Sequence, residues 1–264
     1  MKIYVNGDWT DAVEAAVPAT DRGVALGDGL FETVAVRTGA LRRVNAHLAR
    51  LRSSAADLGL ELPGDDFDAL FREAVRLNAI DNGMVRLTLT RGAAQAGLAA
   101  ADSGPPTVII SSVRRDPPEG LVRAIICETT RRNEHSPTSR LKTTNYMDNI
   151  LAAREAARLG ADEALLLNTQ GRLAEATIAN VFLVTDGQIV TPPVSEGALP
   201  GIMRAAVMAA EDVDERPLEL KELDRASEAL LTNSGGIRAL VSVDGKPVGD
   251  GQAGPVYHRL QDIV

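Results

Sequence analysis

Apolar and polar positions along this chain change their period repeatedly, and each change marks an element. Residues 2–5 and 9–12 alternate on either side of Asn6-Gly7, a pair that tolerates the positive backbone angles of a tight hairpin turn. A glycine-punctuated loop, Asp21-Arg22-Gly23-Val24-Ala25-Leu26-Gly27-Asp28-Gly29, leads into a strand over 30–36, and Thr38-Gly39 turns the chain into a second strand over 41–44. Leu48, Leu51, Ala55 and Leu58 then recur at helical spacing, which predicts a helix over 46–58 capped by Asn45 and closed by Gly59. A further helix is predicted over 67–77. After Asn82-Gly83 the alternation over 84–91 reads as a strand, and a small-residue loop separates it from a buried strand over 107–110.

The pattern breaks at Arg114-Arg115-Asp116-Pro117-Pro118-Glu119-Gly120. That break divides the chain into a small α/β domain at 1–113, a linker at 114–121 and a larger domain at 122–264. In the larger part a strand over 122–128 precedes an arginine-rich irregular stretch and a helix over 146–159 closed by Gly160. Strands follow over 164–167, 172–174, 180–184 and 189–191. Pro200-Gly201 opens a helix to about residue 210, and the tail holds a strand near 230–232, a turn at Asp244-Gly245 and a last helix from Val256. The fold class is α/β in the α+β sense, with two domains.

Composition narrows the function classes. The chain has 264 residues, 45% of them hydrophobic, and a net charge of -8, which suits a soluble globular protein and gives no reason to expect nucleic acid or an anionic membrane as partner. No apolar run reaches the roughly 18 to 20 residues that span a bilayer, and the start reads as a strand and turn, not a signal peptide. A single cysteine, Cys127, excludes an internal disulfide framework and suits a reducing cytoplasm. His47, His135 and His258 are far apart and no Cys/His spacing is present, so no metal site is expected.

Lysine usage points to the chemistry. Arginine is so strongly preferred that Lys2, Lys142, Lys221 and Lys246 are the only lysines. Arginine stays protonated, whereas a desolvated lysine amine can act as a nucleophile and form a Schiff base. Lys2 is terminal, Lys221 lies in a charged run and Lys246 follows a turn. Lys142, in Ser139-Arg140-Leu141-Lys142-Thr143-Thr144-Asn145-Tyr146, is the outlier.

Lys142 with Asn145, Glu175-Ala176-Thr177-Ile178-Ala179-Asn180, Leu199-Pro200-Gly201-Ile202, Asp21-Arg22-Gly23 with Gly27-Asp28-Gly29, and His47-Leu48-Ala49-Arg50-Leu51 together resemble the class IV, or fold type IV, pyridoxal-phosphate enzymes. These motifs stand in the family's order over nearly the whole chain. The resemblance implies a larger cofactor-binding domain with a mixed, barrel-like sheet, a homodimer, and pyridoxal 5'-phosphate held by Lys142. Glu175 would bond the ring nitrogen. Arg50, the backbone of Ile202 and Met203, and Ser234 would take the phosphate. Family members often carry a hydroxyl residue where Met203 stands, so one side-chain contact is lost. Tyr146 is a candidate for the cofactor's phenolic oxygen, or a core aromatic.

Two residues between lysine and asparagine, Thr143 and Thr144, resemble the D-amino-acid transaminases and aminodeoxychorismate lyases more than the branched-chain enzymes. Phe31 stands where the former have tyrosine, and Ala96 and Leu98 replace an arginine and a histidine that trap carboxylate; Arg91 or Arg22 are then the candidate carboxylate partners. Thr33 and Thr232-Asn233-Ser234 favour a lyase. The expected activity is a transaminase for small amino acids, D-configured ones included, and 2-oxo acids. The alternatives are 4-amino-4-deoxychorismate lyase, releasing pyruvate and 4-aminobenzoate, and a non-catalytic cofactor-binding protein.

Overall fold

Alternating and helical periods resolve into two bodies in the computed structural model, which describes residues 1–95, 97–99, 103–117 and 120–263. One body holds Met1–Pro117 with Lys142–Asn145; the other holds Pro118–Leu141 with Tyr146–Val264. Ala96, residues 118 and 119 of the expected linker, and Val264 lie outside the described residues.

In the first body, β1 (Lys2–Val5), β2 (Asp8–Asp11), β3 (Gly29–Arg37), β4 (Ala40–Leu41), β5 (Gly83–Thr90) and β6 (Thr107–Arg114) form one antiparallel sheet in the order β2-β1-β6-β5-β3-β4. Asn6 and Gly7 take positive φ, as the hairpin between β1 and β2 requires. The glycine-punctuated loop contains a short helix, α1 (Arg22–Leu26), which Asp21 caps by accepting from the Gly23 amide and which ends at Gly27 with φ 69°. Helices α2 (Val44–Asp57) and α3 (Phe67–Leu77) bury Leu48, Leu51, Phe67 and Phe71. Each such side chain contributes roughly 1.5–3 kcal/mol on burial. Asn45 does not cap α2: Arg43 takes a left-handed turn at φ 52°, and the helix starts at Val44, one residue before the expected cap. Strand β6 continues to Arg114, so the sheet runs to the start of the arginine-rich stretch.

In the second body, β7 (Leu121–Ile126), β8 (Glu163–Leu167), β9 (Arg172–Ala176), β10 (Asn180–Thr185), β11 (Gln188–Thr191), β12 (Val213–Glu215), β13 (Leu218–Glu219), β14 (Glu228–Asn233), β15 (Gly236–Val243) and β16 (Lys246–Pro247) make a mixed sheet. Its order is β12-β11-β10-β14-β15-β7-β8-β9-β13, with β16 on β15. Neighbours β11 and β12, β15 and β7, and β7 and β8 are parallel. The sheet is a curled half-barrel: Leu165, Leu173, Val181, Leu183, Leu231 and Leu240, from strands spread across it, share one inner core. The outer face is covered too. Helix α4 (Met147–Arg158) lays Ala152 and Ala156 over Ala164 and Leu166, while α5 (Ile202–Ala210) and α6 (Pro255–Leu260) pack on Phe182, Leu230 and Ile237. Coverage on both faces explains why β8 and β10 are buried at every position.

Candidate active site

Within the first body, the Lys142–Asn145 segment is stitched to the start of β3. The Phe31 amide donates to the Lys142 carbonyl at 2.9 Å, the Thr144 amide donates to the Gly29 carbonyl at 2.9 Å, and Leu30 and Thr143 form a bridge. The Thr144 hydroxyl adds a bond to the Gly27 carbonyl at 2.7 Å. Lys142 is thereby anchored through its carbonyl and the two residues that follow it, and its amine stands 4.3 Å from the centre of the buried Phe31 ring. The Arg86 guanidinium lies 3.7 Å from the same ring centre. Register explains its arrival, because Thr33 pairs with Arg86 and Phe31 with Thr88, so all four side chains leave the sheet on one face. Arg86 is exposed on that face and Thr33 is half-buried. The sequence reading missed Arg86; the alternation of β5 places it beside Phe31 only once the register with β3 is known.

Glu32 leaves β3 on the other face, toward α2, where Arg50 grips its carboxylate through Nε at 2.8 Å and Nη2 at 2.7 Å. His47 Nδ1 lies 2.7 Å from the same carboxylate. Burial alone would raise the Glu32 carboxyl, but Arg50 and then His47 outweigh it and hold it below the ordinary carboxylate range.

Arg22 and Arg91, the candidate carboxylate partners, flank Asp28 at 2.8 and 2.9 Å. Arg22 also donates to the carbonyls of Gly97 and Leu98, and Arg91 to those of Gly59 and Leu58. Both guanidiniums are thus engaged in tying loops together. Burial would raise the Asp28 carboxyl, yet Arg91 and Arg22 hold it below its usual value.

Within the second body, Glu175 is 5% exposed on β9. One carboxylate oxygen faces Arg132 Nε at 3.0 Å, and the other accepts from the Leu199 amide at 2.9 Å. Arg132 is in turn locked by the Ser139 carbonyl at 2.7 Å and the Gly197 carbonyl at 3.2 Å. Asn180 donates to the Leu199 carbonyl at 2.8 Å, so it braces the turn that holds Glu175. A hydrogen-bonded carboxylate held at this depth can accept from a protonated ring nitrogen.

The same turn opens α5. Its N-cap, Gly201, offers no side chain to the first amides, so the amides of Ile202 and Met203 stand at a helix end with no side-chain cap among the described residues and with a dipole that favours an anion. Met203 itself is buried in the core beneath α5. Opposite Asn180 in register stands Thr232, 1% exposed, whose hydroxyl has no hydrogen-bond partner among the described residues. Paired residues share a sheet face, and Asn180 reaches Leu199 and Gly201, so Thr232 faces the start of α5. A buried hydroxyl left unpaired is costly and asks for a partner. A phosphate fits that demand, and the donors present therefore suit a phosphorylated cofactor. In the sequence Thr232 stands out only as part of a motif; its unpaired burial has no sequence signal. Ser234 follows at the half-buried end of β14, and half-buried Tyr146 occupies the position before α4.

The Amino-transferase class IV family model matches residues 29–243, from the first residue of β3 to the last of β15. D-alanine aminotransferase of Staphylococcus haemolyticus is 30% identical over 270 residues, covering 99% of this chain and 95% of that protein. The branched-chain amino acid aminotransferase of Escherichia coli superposes with a TM-score of 0.90 at 26% identity over 99% of this chain and 92% of its own. A Legionella pneumophila protein provisionally named 4-amino-4-deoxychorismate lyase superposes with a TM-score of 0.86 at 31% identity over 95% and 94%. Motifs, fold and matches over nearly its whole length agree that the chain belongs to the class IV aminotransferases, a family that works with pyridoxal 5'-phosphate.

Proposed function

We propose that this protein transfers an amino group between a small amino acid, D-configured donors included, and a 2-oxo acid, with Lys142 as the amine that holds pyridoxal 5'-phosphate. The observation that carries this reading is the placement of Lys142: a half-buried amine over an apolar ring, fixed by backbone bonds to a buried strand. When bound, the cofactor stores the electron pair left behind as the substrate loses its α-proton. Lys142 Nζ takes that proton as base and returns it as acid. Glu175 bonds the ring nitrogen, with Arg132 aiming its carboxylate. Arg50, the amides of Ile202 and Met203, and the hydroxyls of Ser234 and Thr232 take the phosphate, while Tyr146 serves the phenolic oxygen.

Phe31, Thr33 and Arg86 form the substrate side, and Arg86 takes the carboxylate role first sought in Arg91 or Arg22, because its guanidinium is exposed beside the ring over which Lys142 stands. Addition of the cofactor is expected to give an absorbance band at about 410–420 nm that Lys142→Ala abolishes; a protein that stays colourless would be a non-catalytic member. Arg86→Gln is expected to raise KM for the amino donor more than it lowers kcat.

A lyase is the second reading, favoured by the likeness to the Legionella protein and by Thr232-Asn233-Ser234. Pyruvate release from 4-amino-4-deoxychorismate, set against half-transamination by D- and L-amino acids, separates the two; release without transamination overturns the first. The protein is further proposed to be a cytoplasmic homodimer. Met147, Ile150 and Leu151 make an exposed apolar stripe on α4, and Asn149 bonds the carbonyl before exposed Ile178. Light scattering should give twice the chain mass.

A further inference from the structure

Glu32 is a buried acid to which neither the sequence motifs nor the proposed chemistry gives a task. It is 1% exposed and its carboxylate is closed by two neighbours on α2, Arg50 through Nε and Nη2 and His47 through Nδ1. His47 is itself 2% exposed. A carboxylate at this depth is expensive even when paired, and apolar residues of similar volume often serve stability as well or better. The arrangement therefore calls for a use beyond packing. A two-point grip on Nε and Nη2 fixes both the plane and the direction of a guanidinium, where a single contact would leave it free to swing.

We infer that Glu32 is a positioning residue that orients Arg50 toward the cofactor phosphate, with His47 fixing Glu32 in turn. The inference rests on the reading of Arg50 as a phosphate ligand.

The test compares pyridoxal 5'-phosphate with pyridoxal, which lacks the phosphate, in absorbance titrations of the full-length protein freed of cofactor. Glu32→Gln is expected to weaken binding of the phosphorylated form by about ten- to a hundredfold, the loss of about one hydrogen bond between Arg50 and the charged phosphate. Binding of pyridoxal, which has no phosphate for Arg50 to meet, should stay close to that of the parent. Arg50→Ala should show the same phosphate-selective loss, and the double variant should bind no worse than Arg50→Ala alone, because two residues acting through one contact do not add. Glu32→Asp keeps the charge but shortens the reach, so it should reproduce the selective loss and serves if the glutamine variant does not fold. Equal loss for both ligands, or additive losses in the double variant, overturns the inference. If Arg50→Ala loses phosphate selectivity and neither Glu32 variant does, the positioning role alone falls. If Arg50→Ala keeps its selectivity, the phosphate reading of Arg50 falls and takes the inference with it.

Discussion

Replacing Thr232 by valine should move stability and cofactor affinity in opposite directions. The hydroxyl is 1% exposed and unpaired among the described residues, so without cofactor it carries an uncompensated burial cost of about 1–3 kcal/mol. Valine has the same shape and removes that cost. The cofactor-free variant should be as stable as the parent or more so, with a Tm higher by roughly 2–4 °C for each kcal/mol recovered in a protein of this size. A hydrogen bond to a charged phosphate contributes about 1.5–3 kcal/mol, so the same substitution should weaken cofactor binding by about ten- to somewhat over a hundredfold. Thr232→Ser separates the two effects: it keeps the hydroxyl, hence the affinity, and loses a buried methyl at about 1 kcal/mol. Thermal denaturation without cofactor and a cofactor titration measure both quantities. A valine variant that is less stable without cofactor, or that binds it with parental affinity, would refute the assignment.

Glu155 accepts from the Thr129 and Glu128 amides and the Cys127 thiol, and bonding led by Thr129 lowers its carboxyl to about 2, against the effect of burial. A folded value below the ordinary 4.5 means that its stabilisation is complete above that pH and is lost as pH falls toward about 2. Urea denaturation should therefore show Glu155→Gln destabilised at pH 7 and closer to the parent at pH 3; an equal difference at both contradicts this. Burial, aided by the Glu155 carboxylate, pushes the Cys127 thiol up, so iodoacetamide should label it at the rate of unfolding, and labelling faster than unfolding would disprove it. A Cβ on Gly201 would stand 2.0 Å from Asn180 Oδ1, and Asn180 is held by the Leu199 carbonyl. Gly201→Ala should cost about 1–3 kcal/mol and weaken cofactor binding, with part of the stability restored by adding Asn180→Ala; calorimetry of the single and double variants checks it.

Much of the fold was legible because both periods are strong: the β1–β2 hairpin, β5, α3 and α5 stand where alternation, helical spacing and turn residues put them. The errors sit at junctions. The start of α2 depends on Arg43 accepting a left-handed conformation that its residue type does not advertise, and short strands such as β12 and β13 are stabilised by neighbours distant in sequence. Lys142 and the acid on β9, Glu175, stand out by residue type and motif. Arg86, Arg132, Thr232 and Glu32 do not, since each matters through a partner that only register or tertiary packing supplies: Phe31, Glu175, Asn180 and Arg50.

The first body is not a contiguous piece of chain. It ends at Pro117 and recovers four residues, Lys142–Asn145, whose first member is the lysine proposed to hold the cofactor and whose backbone closes bonds to Gly29 and Phe31. A single genetic crossover near residue 117 between two relatives would give the β3 edge one ancestry and the segment bonded to it another. Exchange that preserves the fit needs β3 and residues 142–145 from the same parent, which couples positions more than a hundred residues apart in inheritance. In this architecture the smaller body cannot be traded as a module without carrying Lys142 along.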